Sequence, residues 1–440
     1  MKGKKGKRDE KDRPLRLVII NKSDSTGGAA VVSRRLIEAF REEGVDARML
    51  MVEKLTDSPY VEVAAPDFDI KKNFILERLK IFIRNGFSRK TLFKIDTATD
   101  GLPLWRHPLV KKADAVLLNW VNQGMLSLDG VQRLQKLRKP VIWTMHDMWC
   151  MTGICHHAGE CRGYLKECGD CPLLGKLKGR NDLSHKTWLR KLILKKPKNR
   201  VKYVAVSNWL ARKAAESTLL RDETVMVIPN VFSLDSESRR VDRCDGKIRL
   251  LFGAARLDDP IKGLPVLVEM TRILRSDYPE LADRLELITF GGVKNPDSLK
   301  GIAIPHRHLG TVSGEDKVRE VYENADILVS ASSYETLPGT LVEAQAYGCI
   351  PVSFNQGGQS DIVDHLHTGY LADYSADPHT AATHLAGGVV WASSIVSDKE
   401  AADETILDMK YSVRAKFSPK AIVNAYLNII KISKIHNHAK

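Results

Sequence analysis

Residues 326–363, DILVSASSYETLPGTLVEAQAYGCIPVSFNQGGQSDIV, decide the fold. Ile327 to Ser330 and the β-branched run Ile350 to Phe354 read as short buried strands, and the residues between them fit one short helix from about Thr340 to Tyr347. Gly348 is suited to end that helix. In a parallel α/β sheet, ligands bind at the carboxyl edge, where the loop after the first of these strands lies. Glu335 stands on that loop. Glu343, eight positions on, is placed in the first turn of the helix, so both carboxylates can face one crevice. Carboxylates accept strong hydrogen bonds from hydroxyl groups, while the backbone amides of Gly339, Thr340 and Leu341 at the helix start favour an anion such as phosphate. The pattern suits a ligand both sugar-like and phosphorylated. The plainer alternative fits the spacing equally well: Glu343 complements the helix dipole and Glu335 is a solvated loop charge.

A chain of 440 residues exceeds what one hydrophobic core usually serves, which points to two domains. Hydrophobic residues at 43% and charged residues at 28% are the proportions of a globular protein, and no apolar run approaches the length of a membrane-spanning helix. The basic start, KGKKGKRDEKDR, leads into the short LRLVII with no small-residue cleavage site after it, so it does not read as a secretory signal. A net charge of +14 and a pI near 9.3 imply attraction to something anionic: nucleic acid, a membrane surface or a nucleotide. The excess collects in residues 2–13, 71–94 and 176–202, all in the first half. Five of the seven cysteines lie between Cys150 and Cys171, and without an export signal a disulfide framework is not expected.

Along the chain, Arg16 to Asn21 reads as a buried strand, and Gly27-Gly28 opens a helix that Gly44 ends. Strand, glycine pair and helix bring backbone amides close to a phosphate, although a tight turn needs glycine anyway. Residues 71–94 mix Phe74, Ile75, Leu79, Phe82, Ile83 and Phe87 with arginines and lysines. Such a basic amphipathic helix can lie on an anionic membrane surface, or pack on its own domain with a solvated basic face. His146 and Asp147 directly follow the strand Val141 to Met145, which places the histidine to meet a reacting group in the crevice.

Cys155, Cys161, Cys168 and Cys171 come next, flanked by Cys150, His156 and His157. Four sulfurs with one close C-x-x-C pair suit a tetrahedral structural zinc that stiffens an irregular loop. The spacing is not that of a standard finger, and reduced free thiols are the alternative. The polar, aperiodic stretch from Ser233 to Asp245 reads as an interdomain linker. The second half repeats strand and loop: after Ile248 to Ala254, Arg256 and Lys262 precede a helix. Two cations beside a helix amino terminus suit a diphosphate, each charge-assisted hydrogen bond being worth about 1.5–3 kcal/mol.

With Arg256, Lys262-Gly263 and the E-x7-E pair Glu335 and Glu343 in one half, and Gly27-Gly28 and His146 in the other, the chain resembles a retaining glycosyltransferase of family 4, of the GT-B fold, over residues 15–435. The run TMHDMWCMTGICHHAGEC with CGDCPLL resembles a subgroup found in bacterial surface-polysaccharide and capsule clusters. The resemblance implies an α/β architecture of two Rossmann-like domains facing across a cleft. A basic tail (1–13) leads into an acceptor-side domain (14–235), followed by a nucleotide-sugar domain (246–417) and a C-terminal helix (418–440) returning to the first domain. It implies a hexosyltransferase-type enzyme using a UDP- or GDP-sugar donor and a saccharide or lipid-linked acceptor. Glu343 would hold the ribose, Arg256 and Lys262 the diphosphate, and Glu335 a hydroxyl of the transferred sugar. Gly27 and Gly28 would approach the phosphates, His146 the donor sugar, and the Gly339, Thr340 and Leu341 amides would add to the anion site. No cofactor is expected for the chemistry, because the two cations stand where magnesium would. The late Gly357-Gly358 is followed by Gln359-Ser360-Asp361 rather than the family's proline-glutamate, which weakens any reading of sugar specificity there.

These readings lead to the expectation of a cytoplasmic enzyme, peripheral on the inner membrane face, that does not bind nucleic acid. The competing readings are a nucleotide-sugar epimerase of the same fold, which needs no acceptor, and a basic nucleic-acid-binding protein, which would not require two carboxylates in a crevice.

Overall fold

The computed structural model describes residues 13–25, 27–197, 199–232, 234 and 245–438. All but Arg13 of the basic tail, and nearly all of the expected linker 233–245, lie outside the described residues. The chain divides into two compact units, Met1–Val231 with Pro419–Lys440, and Phe232–Ser418.

The first unit is built on seven strands: β1 Arg16–Ile20, β2 Asp46–Met51, β3 Val61–Val63, β4 Ala115–Leu118, β5 Val141–Met145, β6 Lys202–Ala205 and β7 Val225–Val227. They lie in the order β3-β2-β1-β4-β5-β6-β7 and every neighbouring pair is parallel. Helices cover both faces of such a sheet, so β4 is an uninterrupted apolar run and β5 is apolar but for Thr144, both buried at every position. Strand order reverses between β1 and β4, and the loops leaving those strands part to open a crevice.

The helix Gly28–Glu42 returns from β1 with Leu36, Ile37 and Phe40 buried, and Gly44 at φ +78° ends its turn into β2. The C-terminal helix Pro419–His438 belongs to this unit. Its Ile422, Val423, Ile429 and Ile430 join the core, the Tyr426 ring lies 5.9 Å from Phe40, and the Tyr426 hydroxyl meets Thr144 Oγ1 at 2.9 Å.

The basic stretch 71–94 is not one helix. A helix runs over Asp67–Arg84, and the chain then turns through Gly86 at φ +72°. Its burial inverts the usual pattern, for only Glu77, Arg78 and Ile81 are buried while Phe68, Ile75, Leu79 and Ile83 are exposed. At 100° per residue those four fall within about 80° of one another, on the side away from Glu77 and Ile81.

The second unit holds β8 Ile248–Arg256, β9 Leu285–Gly292, β10 His306–His308, β11 Ile327–Ser330, β12 Ile350–Phe354 and β13 Tyr370–Ala372. Their order is β10-β9-β8-β11-β12-β13, again wholly parallel, with the reversal between β8 and β11. The helix between β11 and β12 spans Gly339–Ala346. It ends as sequence foretells: Gly348 adopts φ +81°, its amide donates to Gln345 O at 3.3 Å, and Cys349 N donates to Ala344 O at 2.8 Å. Because the helix starts at Gly339, Glu343 opens its second turn rather than sitting in the first.

Candidate active site

In the second unit, the loops leaving β8 and β11 sit at the strand-order reversal and are knitted together. Ser333 N donates to Ile261 O at 2.9 Å. Gly263, at φ +71°, runs so close to the β11 loop that a Cβ there would lie 2.0 Å from Ala331 O. Lys262 ends a short turn started by Asp259, whose side chain accepts from Ile261 N at 3.2 Å. Its ammonium donates to Glu335 Oε1 at 2.6 Å. Glu335 is itself tied to the glycine pair after β12: Gly358 N donates to Glu335 O at 2.9 Å, and a Cβ on Gly357 would stand 1.9 Å from the same oxygen. The Lys262–Glu335 pair is thus fixed by three segments distant in sequence.

Arg256, at the end of β8, reaches Asp258 Oδ1 at 3.2 Å and Asp259 Oδ2 at 3.5 Å, and is partly exposed. Glu343 accepts from the Tyr322 hydroxyl at 3.4 Å. Tyr322 is fully buried, stacked on Tyr347 with ring centroids 5.8 Å apart, and burial together with Glu343 raises its pKa well above that of a free phenol. It therefore stays a neutral donor that orients the carboxylate. No side chain caps the Gly339 end of the helix, where Leu341 N turns back to Pro338 O at 3.2 Å.

In the first unit, Gly27 adopts φ +87° before the helix Gly28–Glu42, and a Cβ on Gly27 or Gly28 would meet nothing within 4 Å. The glycine at 27 answers a backbone demand, and both positions border open space. His146 directly follows β5, as expected, and burial lowers its pKa to about 4 despite the adjacent Asp147. The imidazole is neutral at physiological pH.

Beside it lies a network that sequence reasoning missed. His156 Nδ1 meets Asp147 Oδ2 at 2.7 Å, and Nε2 meets Asp96 Oδ2 at 2.7 Å. Burial alone would lower the pKa of His156, but Asp147 and then Asp96 outweigh it and lift it to about 10. A buried imidazolium thus bridges two carboxylates. Asp147 also accepts from Trp120 Nε1 at 3.0 Å and Trp149 N at 2.8 Å, and its pKa falls to about 2: burial works against ionisation, but His156 prevails. Asp96 is further paired with Arg78, and the Trp120 ring stacks on His156 with centroids 5.5 Å apart. The partners come from four separate stretches, so spacing carried no signal. The only local hint was the His-Asp dipeptide after β5.

Cys155, Cys161, Cys168 and Cys171 are free thiols that line one small cavity. Among the described residues, no three His, Cys, Asp or Glu side chains stand in a metal-holding arrangement.

With this geometry in view, residues 236–386 match the family described as Glycosyl transferases group 1. The chain is 24% identical over 341 residues to an Escherichia coli protein named as a colanic acid biosynthesis glycosyl transferase, WcaC, spanning 74% of this chain and 79% of that one. Among solved structures, the sucrose-phosphate synthase of Thermosynechococcus elongatus superposes with a TM-score of 0.60 at 15% identity, covering 96% of this chain and 98% of that one. Anabaena Alr3699/HepE in complex with UDP does so with a TM-score of 0.56 at 12% identity, covering 95% and 100%. Two parallel-sheet Rossmann-like domains with these structural neighbours make a GT-B architecture. The chain is a transferase, and residues 236–386 are the part that matches the group 1 glycosyltransferases.

Proposed function

We propose that this enzyme is a retaining glycosyltransferase of family 4. It moves a sugar from a UDP- or GDP-sugar to a saccharide or lipid-linked saccharide acceptor in surface-polysaccharide or capsule biosynthesis, in the cytoplasm at the inner membrane face. The observation that carries the reading is the pairing of Lys262 with Glu335 across the two loops at the β8/β11 reversal, with Arg256 at the end of β8. Negative charge builds on a departing nucleoside diphosphate, so fixed cations held there lower the barrier. Lys262 and Arg256 supply that charge, the amides of Gly339, Thr340 and Leu341 add to it, Glu343 accepts the ribose hydroxyls, and Glu335 accepts from the sugar. Gly27 and Gly28 leave room for phosphate beside the helix they open. His146, uncharged near pH 7, hydrogen-bonds the donor sugar rather than acting as an acid. The names of the similar proteins, a polysaccharide transferase and a UDP complex, support the pathway and the donor class.

The membrane part rests on the helix Asp67–Arg84, whose exposed Phe68, Ile75, Leu79 and Ile83 share the surface with Lys71, Lys72 and Arg84. An apolar row with cationic neighbours is how a helix lies in an anionic interface. Among the described residues no helix is long and apolar enough to cross a membrane.

Titration calorimetry with UDP, GDP and their sugars, followed by transfer assays with the ligand that binds, tests the reading. One nucleotide sugar should bind, and Lys262→Ala should weaken it by about tenfold or more. Binding of none, or isomerisation of the donor without an acceptor, would overturn the proposal, the latter in favour of an epimerase.

A further inference from the structure

The segment between β5 and the helix Leu183–Lys191 contains no strand, only three short 3-10 turns. Gly159, Cys168, Gly169 and Asp170 all lie at positive φ. Beneath it is a small satellite core that includes Ile81, Ile95, Ile154 and Leu174. A segment of about 35 residues without regular structure rarely holds one shape inside a compact unit unless something ties it. The same segment delivers His156, one residue from Cys155, to its place between Asp96 and Asp147.

We propose that Cys155, Cys161, Cys168 and Cys171 bind one structural zinc ion. All four line the same cavity, with Ile154 and Tyr164 among its walls. Two of the sulfurs already accept backbone hydrogen bonds: Gly153 N to Cys168 Sγ at 3.2 Å and Gly163 N to Cys161 Sγ at 3.5 Å. Such N–H donors are the outer contacts that orient and stabilise metal-bound thiolates, and an uncharged thiol packed among apolar groups has little use for them. A second observation concerns charge. Lys191 is buried beneath the same segment, donating to Thr152 O at 2.9 Å and to Trp149 O. On binding, four S–H bonds break, four protons pass to solvent and four Zn–S bonds form, with no change of oxidation state. The site then carries a net charge of about −2, which the ammonium and the N–H donors offset. Binding requires the four cysteine side chains to leave the positions they hold on the cavity wall and converge on one ion.

The test is the metal content and thiol reactivity of the full-length protein. Purified without chelator and dialysed against buffer, it should retain about one zinc per chain by inductively coupled plasma mass spectrometry. The four cysteines should react with iodoacetamide at least tenfold faster once phenanthroline removes the metal, with Cys349 as an internal control. Cys161→Ser should lose zinc while Cys150→Ser keeps it. Absence of zinc even after incubation with zinc chloride, with equal alkylation in its presence and absence, would overturn the proposal. So would an intact mass and peptide map that place a disulfide among the four.

Discussion

Lys262 Nζ stands 2.6 Å from Glu335 Oε1, joining the loop after β8 to the loop after β11. The ammonium that would meet a diphosphate is therefore already partnered. Both side chains are partly exposed, so the pair is worth at most about 1 kcal/mol, little enough for a phosphate to displace the carboxylate. Displacement would free Glu335 to accept from a sugar hydroxyl, so binding at one residue prepares the other. Lys262→Ala should lower kcat/KM by about 100-fold or more, and Glu335→Gln should lower kcat while leaving UDP affinity unchanged or slightly improved. Because the two act together, the double variant should be far less damaged than the product of the single effects. Steady-state kinetics with UDP calorimetry decide this, and independent, multiplicative losses would refute it.

Gly263 makes that pairing possible through its backbone. Alanine there must adopt φ +71° and place its Cβ 2.0 Å from Ala331 O, so the two loops have to part. Gly263→Ala should destabilise the second unit by at least about 2 kcal/mol and lower kcat/KM through misplaced Lys262. Chemical denaturation and kinetics on the same preparation check both. Gly387→Ala, in the helix Pro378–Ser397 of the same unit, is the control, since a Cβ there meets nothing within 4 Å and φ is ordinary.

Sequence reached most of the architecture because local signals and the fold agree. Strands such as Ile327–Ser330 and Ile350–Phe354 are contiguous apolar runs, and Gly348 ends its helix by a rule that needs no distant partner. It also found the residues at strand ends, because the carboxyl edge of a parallel sheet is a topological address. What it misplaced were matters of degree and of pairing. Glu343 fell one turn late because the helix begins just after Pro338, and the basic stretch 71–94 broke at Gly86. The partnership of Lys262 with Glu335, and the bridge of His156 between Asp96 and Asp147, join residues 73, 60 and 9 positions apart. Only tertiary packing brings such groups together. The inverted burial of the helix Asp67–Arg84 was not legible either, since it depends on Glu77 and Arg78 being satisfied by the irregular stretch 92–98 that packs against them.

That helix leads to a membrane prediction. Vesicles containing anionic phospholipid should retain the protein at low salt, and replacing Leu79 and Ile83 together with serine should weaken retention by about tenfold or more at unchanged melting temperature, since both are exposed. Sedimentation with vesicles provides the readout. Equal retention of the variant, or none by the wild type at any lipid composition, would remove the membrane surface from the functional scheme while leaving the donor chemistry untouched.

The imidazolium of His156 gives the last prediction, a dependence on pH. Its folded pKa, about 10, lies above the ordinary 6.5, so the stability it contributes is fully present below pH 6.5 and is lost as pH rises through 10. Its partner Asp147, held at about 2, contributes stability above its ordinary 3.8 that disappears only as pH falls through 2, outside the range of interest. His146 runs the opposite way to His156, its pKa of about 4 penalising the fold between pH 6.5 and 4, but this penalty is common to wild type and a His156 variant and cancels in their difference. His156→Gln leaves Asp96 and Asp147 buried without the cation between them and should cost on the order of 3 kcal/mol at pH 6. That gap between variant and wild type should stay constant below pH 6.5 and narrow steadily towards pH 10. Urea unfolding at pH 6, 8 and 9.5 measures it directly, and a gap that does not narrow would mean that His156 is held in its neutral form.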